Sequence, residues 1–354
     1  MRRLVNHQSV RSRRSGFTIV ELLMVVGILL FLIATSAFVV RNIGNKAREK
    51  ATLATIVKIN GMLNQRIQAF QRYLDSSRST KDLQQQVNLN YALFSDPMKA
   101  TYLGKKATVI SRPVMEILAR KDLFRQNFPQ YIGDSSDVTA KMNALPGVSG
   151  AAGSELTSDG GLSISSEYLY YVLTQYDAFG AAAAGEDAFN ASEVADTDGD
   201  GLKEFVDGWG RPLRFYRWPT RLFKPNGSSD HSGIDRTTAS IFFSGLPAQP
   251  ALNEIDPLNI DPDDPLGRIQ HEDDRLGGLF LLLFDSSTSY ASYKYGTMNT
   301  FWMPLVVSAG EDGILGLYEP FNTASNGVLA YPILPTVEGV FDNITNHNQR
   351  AGGR

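Results

Sequence analysis

The chain has no cysteine and only four histidines among its 354 residues. Without cysteine it has no disulfide framework, no thiolate metal site and no cysteine nucleophile. The histidines lie in polar segments, and no two of them have the spacing of metal ligands: His7, His231, His271 and His347. The sequence also lacks a phosphate-binding glycine loop and a Gly-x-Ser-x-Gly nucleophile turn, and its scattered carboxylates single out no glycosidase pair. These absences predict that the protein is not an enzyme.

Acidic residues are missing from the first sixteen positions, which carry five arginines. Without those arginines, 29 basic residues face 37 acidic ones, so the rest of the chain has a net charge of −8. An acidic body of this kind repels nucleic acid and attracts cations. We therefore expect no nucleic-acid partner.

Residues Leu22–Val40 form a run of nineteen without a charge. An apolar segment of about 18 or more residues is typical of a transmembrane helix, because a helix of that length spans the hydrocarbon core of a bilayer. A basic segment in front of such a helix stays on the cytoplasmic side. The sequence thus predicts one membrane span with a cytoplasmic N-terminus, and the chain after Val40 on the far side.

The junction between the arginines and the apolar run reads Arg14-Ser15-Gly16-Phe17-Thr18-Ile19-Val20-Glu21. This junction resembles the class III signal of type IV prepilins and type II secretion pseudopilins. The resemblance implies that a prepilin peptidase cleaves after Gly16 and that the new N-terminal Phe17 is methylated. It also implies assembly into a homo- or hetero-oligomeric filament, with other pseudopilins, at an inner-membrane secretion or pilus assembly platform.

Glu21 is a carboxylate at the start of the apolar run. A charged side chain inside a bilayer costs about 2.5–3.5 kcal/mol and usually marks function and a partner. If the chain is cleaved after Gly16, Glu21 of one subunit can neutralise the Phe17 ammonium of its neighbour, which would set the register of packed helices. The alternative is a carboxylate that is hydrated at the headgroup boundary.

Apolar residues recur at spacings of three and four from Ile56 to Leu74. This period predicts that one continuous helix runs from Phe17 to Leu74, first apolar and then amphipathic. We expect an α+β fold in which this spine helix packs on an antiparallel β-sheet head, with inserted helices and loops. The expected segments are a leader at 1–16, a transmembrane or filament-core helix at 17–40, an amphipathic half at 41–75, an inserted lobe at 76–166 and a C-terminal pseudopilin-like head at 167–354.

Local patterns predict further elements after this helix. Helices are expected over Lys81–Phe94, Pro113–Phe128 and Tyr168–Tyr176. The Gly-, Ser- and Ala-rich stretch Gly133–Ser163 predicts a loop or mobile linker. Strands are expected over Leu213–Trp218, Ser240–Ser244 and Leu279–Phe284.

The stretch from Leu246 to Gly278 is acidic and rich in proline. A loop of this length within a compact domain is usually functional or mobile. We interpret it as a solvated surface excursion, with the binding of further cations as the alternative.

The segment Asp196–Asp207 repeats the ligand spacing of an EF-hand calcium loop. Its aspartates stand at positions one, three, five and twelve, and Gly201 at position six permits the turn: Asp196, Asp198, Asp200 and Asp207. Ca²⁺ takes six to eight oxygen ligands, which alternate residues of a tight loop can direct inward. The pattern predicts a calcium loop without flanking helices, because the segment that precedes it is too short to form an entering helix. A solvated acidic turn is the alternative.

Two later segments resemble those of the major pseudopilins of type II secretion. Asp207-Gly208-Trp209-Gly210-Arg211-Pro212 is similar to their Asp-x-Trp-Gly-x-Pro turn, whose tryptophan packs on the spine helix. The segments Ser308-Ala309-Gly310-Glu311-Asp312-Gly313 and Asp342-Asn343-Ile344 are similar to their calcium loop. The resemblance implies that Ser308, Asp312 and Asp342 bind Ca²⁺. A tight turn around Asp312 is the alternative.

Together these features lead us to expect a structural subunit of a type II secretion pseudopilus, anchored in the inner membrane with its head in the periplasm. A minor tip subunit or a true type IV pilin is the alternative within the same class. An uncleaved, signal-anchored extracellular calcium-binding protein is the alternative of another class.

Overall fold

The computed structural model describes residues 18–76, 79–94, 111–148, 161–219, 261, 263–269, 302–321, 330, 333, 339–340 and 342–346. The chain divides into two compact units, Met1–Ala47 and Arg48–Arg354. The described residues combine helices with small antiparallel sheets, which confirms the mixed helix-and-sheet class.

Helix α1 (Ile19–Leu74) is a single element of 56 residues. It confirms the predicted long helix from Ile19 onward, whereas Phe17 lies outside the described residues. Gly44 and Gly61 do not interrupt it. A glycine within a helix costs about 1 kcal/mol relative to alanine, which a helix of this length tolerates.

In the first unit, α1 leaves its large apolar side chains exposed, including Ile19, Leu23 and Phe31. The window Ile19–Ser36 has a mean hydropathy of 2.6 and is long and apolar enough to cross a membrane. At a rise of 1.5 Å per residue it covers about 27 Å, close to the thickness of a hydrocarbon core. A membrane anchor and a signal sequence both have these properties.

In the second unit, α1 buries one side in the main hydrophobic core. Ile56, Ile59 and Leu63 are almost completely inaccessible, and Phe70 joins them. These are the positions that the spacing of three and four predicted. The stripe is buried because residues three and four apart lie on the same side of a helix.

Four further α-helices follow in the part of the chain that the structure describes: α2 (Ser79–Phe94), α3 (Arg112–Asn127), α4 (Ser136–Asn143) and α5 (Ile164–Thr174). Helix α2 packs on α3, and residues of α3, α4 and α5 enter the same core as α1. The helices predicted over residues 81–94, 113–128 and 168–176 are confirmed, with α5 beginning four residues early and ending two residues early.

Helix α4 corrects the prediction of a loop over Gly133–Ser163. The Ser135 side chain accepts a hydrogen bond of 3.3 Å from the Val138 amide, which caps the first turn, and Val138 and Met142 are buried. A capped turn with two apolar anchors forms a helix despite its small and polar neighbours.

Among the described residues, two antiparallel sheets carry the strands. Strand β1 (Val194–Ala195) pairs with β2 (Glu204–Phe205), and β3 (Arg214–Tyr216) pairs with β4 (Leu305–Ser308), which pairs with β5 (Ile344–Thr345). The strand predicted over Leu213–Trp218 is thus present in shortened form. The strands predicted over 240–244 and 279–284 lie outside the described residues.

Helix α5 joins these two sheets. Every one of its residues is buried. The Ser166 hydroxyl donates to the carbonyl of Phe205 in β2, and the Ser165 hydroxyl accepts from the amide of Phe215 in β3. Glu167, the next residue of α5, is thereby fixed next to the hairpin between β1 and β2.

Part of the acidic segment 246–278 is described, and it departs from the expected solvated excursion. Asp261 and Asp264 are only 8% and 7% exposed, and Ile269 is buried as well. The Asp264 carboxylate accepts the backbone amides of Arg268 and Ile269, so its burial is compensated by hydrogen bonds. The prediction is wrong at these positions because Asp264 has local donors and Asp261 pairs with Lys121 of a distant helix.

Candidate metal centre and N-terminal turn

The hairpin between β1 and β2 is held together by its own aspartates. Asp196 accepts the amides of Gly199 at 2.7 Å and Gly201 at 3.1 Å, and Asp200 accepts the amide of Leu202 at 2.7 Å. Both glycines adopt a positive φ, 81° at Gly199 and 96° at Gly201. This conformation is readily available to glycine, so the two glycines let the chain fold back over the carboxylates.

Five carboxylates converge on this hairpin in two overlapping groups. One oxygen each of Asp196, Asp198 and Glu204 lie within 4.8 Å of one another, and so do one oxygen each of Glu167, Asp198 and Asp200. Asp198 belongs to both groups. These acidic clusters can hold a metal ion.

Glu204 is the most buried carboxylate of the hairpin, with no exposed surface. Thr197 donates to it from its backbone amide and from its hydroxyl, each at 2.9 Å. Burial raises the pKa of Glu204 to about 7, and the charge of Asp198 acts in the same direction. A group in this environment gains from a neighbouring cation, which offsets the cost of ionisation.

Asp207, the residue at position twelve of the predicted calcium loop, lies apart from these clusters. Its carboxylate accepts the amides of Trp209 at 2.9 Å and Arg211 at 3.0 Å, and it closes the turn after β2. The chain leaves the hairpin through β2 before it reaches Asp207. The two carboxylate groups include Glu204 at position nine and Glu167 from α5, but not Asp207.

The turn after β2 contacts α1 through Gly208. The Gly208 amide donates to the Thr52 hydroxyl at 2.8 Å, and a Cβ at Gly208 would lie only 2.4 Å from the carbonyl oxygen of Arg48. The turn therefore contacts α1 through the backbone of Gly208, and the neighbouring Trp209 is partly buried.

The second predicted calcium loop lies between β4 and β5. The Ser308 hydroxyl donates to Asp207 at 2.7 Å and accepts the Gly310 amide at 3.2 Å, while the Asp312 amide donates to the Asp342 carboxylate at 3.3 Å. Burial raises the pKa of Asp342, and the charge of Asp312 contributes to the same shift. The structure thus brings Asp312 to Asp342 across 30 residues, whereas Ser308 is engaged with Asp207.

The start of α1 contains the other predicted functional residue, Glu21. Its carboxylate accepts the Thr18 amide at 2.9 Å and the Thr18 hydroxyl at 3.0 Å, and the Glu21 amide donates back to the Thr18 hydroxyl at 3.2 Å. This reciprocal pattern is a capping box, which satisfies donors at the helix start. Gly16 and Phe17 lie outside the described residues.

Two residues of the acidic cluster were missed by the sequence patterns. Glu204 could have been found from the loop itself, because the ninth position of an EF-hand loop often contributes through water. Glu167 precedes the loop by many residues and carries no local signal. Only the packing of α5 on β2 brings it to Asp198 and Asp200.

Comparisons with protein families, with curated proteins and with solved structures gave no match.

Proposed function

We propose that the protein is a pseudopilin-like subunit that is anchored in a membrane and assembles through α1 into a filament of the type II secretion kind. The observation that carries the proposal is the start of α1, where exposed apolar side chains directly follow a capped turn containing Glu21. The prepilin-like junction at Gly16 and Phe17 immediately precedes that turn.

The exposed apolar side chains of the first unit need a nonaqueous environment, because burying apolar surface is favourable. A bilayer provides it before assembly, and neighbouring helices provide it in a filament. Both environments accept a helix whose apolar residues lie on all sides. In this proposal the N-terminus is cytoplasmic, the second unit is periplasmic, and an inner-membrane platform assembles the subunits.

Glu21 connects anchoring with assembly in this proposal. Its carboxylate already accepts two hydrogen bonds from Thr18, so it carries polar partners into an apolar setting. Cleavage after Gly16 would create an ammonium at Phe17, four positions away. Since an ion pair in a low-dielectric environment is far stronger than in water, the Phe17 ammonium of a neighbouring subunit is a suitable partner for Glu21.

Calcium is the metal that we propose for the acidic hairpin. The donors that converge there are all oxygens, from Asp196, Asp198, Asp200, Glu204 and Glu167. A set of carboxylate oxygens suits a hard cation, and Ca²⁺ tolerates irregular geometry better than Mg²⁺ does. The ion would join α5 to the β1–β2 hairpin and neutralise charges that otherwise repel one another.

The loop of Ser308, Asp312 and Asp342 is a second calcium site in the proposal, in accordance with its resemblance to the pseudopilin loop. Asp312 and Asp342 supply the carboxylates, and the backbone amide of Asp312 already donates to the Asp342 carboxylate. Backbone carbonyls would have to complete the coordination, because two carboxylates provide too few oxygens for Ca²⁺.

The experiment that tests the filament proposal is mass spectrometry of the N-terminal peptide, on protein taken from its native membrane. The proposal expects a methylated Phe17 at the N-terminus. The matched control is the same protein from cells without the prepilin peptidase, which should begin at Met1. A Met1 start in both preparations would contradict the filament model and favour the uncleaved, signal-anchored calcium-binding protein.

A minor tip subunit and a true pilin undergo the same processing, so a second measurement is required. Quantitative mass spectrometry of sheared filaments gives the ratio of this chain to the other subunits. A ratio far below that of the main subunit identifies a minor component.

A further inference from the structure

Lys121 of α3 is a lysine without exposed surface. Lysine is almost never fully buried unless it is paired. Its ammonium nitrogen lies 2.7 Å from Oδ2 of Asp261, and the side chains of the two residues are 1% and 10% exposed. The ring centroids of Trp302 and Trp218 lie 3.5 Å and 5.3 Å from the same nitrogen. An amine and a carboxyl group are thus held in contact inside an aromatic enclosure.

The burial of this pair has an energetic cost. Removing an ammonium and a carboxylate from water costs several kcal/mol for each ion, which their attraction repays only when the geometry is excellent. Here the angles are poor: within the described residues, Nζ of Lys121 forms no hydrogen bond of normal geometry despite its 2.7 Å separation from Asp261. Transfer of one proton from Lys121 to Asp261 would leave a neutral amine beside a neutral acid, which are the reactants of amide formation.

Asp263 provides a further carboxyl group next to this pair. Its backbone amide donates to Oδ1 of Asp261 at 3.0 Å and so holds the Asp261 carboxyl group in position. The other oxygen, Oδ2, is the one that contacts the lysine. Burial raises the pKa of Asp263, and the carboxylates of Asp261 and Asp264 contribute to the rise, while Lys121 and Arg120 oppose it. The hydrogen bond to Asp261 keeps Asp263 beside the pair, where its carboxyl group can carry protons in both directions.

We propose that Lys121 and Asp261 become joined by an intramolecular isopeptide bond. The neutral Lys121 nitrogen attacks Cγ of the protonated Asp261, forming the C–N bond. The Asp263 carboxyl group accepts a proton from that nitrogen and delivers one to the departing hydroxyl group, so the C–O bond breaks and one water leaves. Charge and atoms balance without an oxidant or a cofactor, since an ion pair becomes an amide and one water.

Proximity is what makes the reaction feasible. Groups held in reactive contact behave as if they were present at about 10⁵–10⁸ M, which removes much of the barrier of a reaction between separate molecules. The bond would tie α3 to Asp261 and thereby to the neighbouring segment 263–269. It would give this cysteine-free chain a covalent link that reductants cannot open. The inference is independent of filament assembly.

Peptide mass spectrometry of the full-length protein, purified from membranes without chemical cross-linkers and digested with trypsin, tests the bond. The expected product is a branched peptide that contains Lys121 and Asp261, weighs one water less than its two parts, and is not cleaved after Lys121. Linear peptides at full mass for both residues would overturn the proposal and leave an ion pair only.

The matched control is another ion pair of the same chain. Lys58 and Glu193 approach to 2.9 Å, but their side chains are 32% and 13% exposed, so the proposal expects linear peptides from them. A branched Lys58–Glu193 peptide in equal amount would mean that the links arise during preparation, which also overturns the proposal.

Variants at the third carboxyl group test the chemistry separately from the fold. Asp263→Asn keeps the backbone amide that holds Asp261 but removes the proton carrier, and we expect cross-linking to be about 100-fold slower. Asp263→Glu should restore it. Equal rates in wild type and Asp263→Asn would remove the proton-transfer role from Asp263. Asp261→Ala should give only linear peptides.

Discussion

The Ser308 hydroxyl donates a hydrogen bond of 2.7 Å to Oδ2 of Asp207, across 101 positions of the chain. The contact is buried and ties the turn after β2 to the loop after β4. Both residues were predicted as calcium ligands, one in each loop. Their hydrogen bond has a structural role, and Asp207 belongs to neither carboxylate group of the acidic hairpin.

Replacing Ser308 with alanine should therefore destabilise the protein. Asp207 would keep its two backbone donors but lose its only described side-chain donor, and an incompletely satisfied buried carboxylate costs about 1–3 kcal/mol. Denaturant unfolding of the detergent-solubilised chain measures the loss. Ser136→Ala, at an exposed position, is the control and should change the free energy of unfolding by less than about 0.5 kcal/mol. Equal effects would remove the structural role of the Ser308–Asp207 bond.

Gly208 and Gly61 should respond in opposite ways to substitution by alanine. A Cβ at Gly208 would lie 2.4 Å from Arg48 O, which forces the turn away from α1 and costs about 1–3 kcal/mol. At Gly61, within α1, a Cβ meets no atom within 4 Å, and alanine should stabilise the helix by about 0.5–1 kcal/mol. Unfolding curves of the two variants provide the comparison. A neutral Gly208→Ala would show that the turn does not need its close approach to α1.

Glu193 should make a contribution to stability that disappears in acid. Burial acts to raise its pKa, but hydrogen bonds from Asn190, Lys58 and Thr55 outweigh it and bring the pKa below its usual 4.5. A lowered folded-state pKa stabilises above the unfolded-state pKa, and this stabilisation is lost as the pH falls through the folded-state value. Glu193→Gln should thus cost about 1 kcal/mol at pH 7 and much less near pH 3.

Urea unfolding of Glu193→Gln and wild type at both pH values measures this difference. Glu49→Gln, at an exposed position of α1, is the matched control and should have little effect at either pH. A cost that is the same at pH 7 and pH 3 would mean that the ionised form of Glu193 has no special role.

The periodicity of apolar residues in the sequence was sufficient to predict the long elements of this protein. The apolar run and the stripe from Ile56 to Leu74 specify α1, because helical spacing over many turns leaves little ambiguity. Helix α4 was not predicted because it has only eight residues and lies in a stretch dominated by small side chains. Its formation depends on the Ser135 cap and on core contacts of Val138 and Met142, which no local pattern contains.

The sequence predicted only those residues of the acidic site that lie close together in the chain. The aspartate spacing indicated Asp196, Asp198 and Asp200, which the hairpin does gather. Pairing of Ala195 with Glu204 brings the latter back beside the start of the loop, whereas an EF-hand template assigns that role to residue twelve. Burial at Asp261 was likewise unpredictable, because it depends on the distant Lys121.

Calcium affinity should depend on Asp198 far more than on Asp207. Asp198 belongs to both carboxylate groups, so Asp198→Ala should weaken binding by at least about 10-fold, and Glu204→Gln should also weaken it. Asp207→Asn should leave the affinity nearly unchanged, since that carboxylate serves the turn. Isothermal titration of the full-length chain in detergent, at constant pH, measures these affinities. Asp137→Asn, at an exposed carboxylate paired with Lys141, is the control. If Asp207→Asn weakens binding as much as Glu204→Gln, the EF-hand assignment is correct and ours is wrong.

Glu21→Ala should abolish filament assembly while leaving processing intact. The substitution removes the partner proposed for the Phe17 ammonium of a neighbouring subunit, and it also removes the acceptor of the Thr18 capping bonds. Glu21→Gln separates the two effects, because its amide oxygen can still accept from Thr18 but carries no charge. We expect both variants to reach the membrane and to begin at Phe17, yet to yield no filaments in electron micrographs of sheared material. Glu49→Ala, at an exposed acid further along α1, should assemble normally. Filaments from Glu21→Gln would show that the acceptor, and not the charge, is what assembly requires.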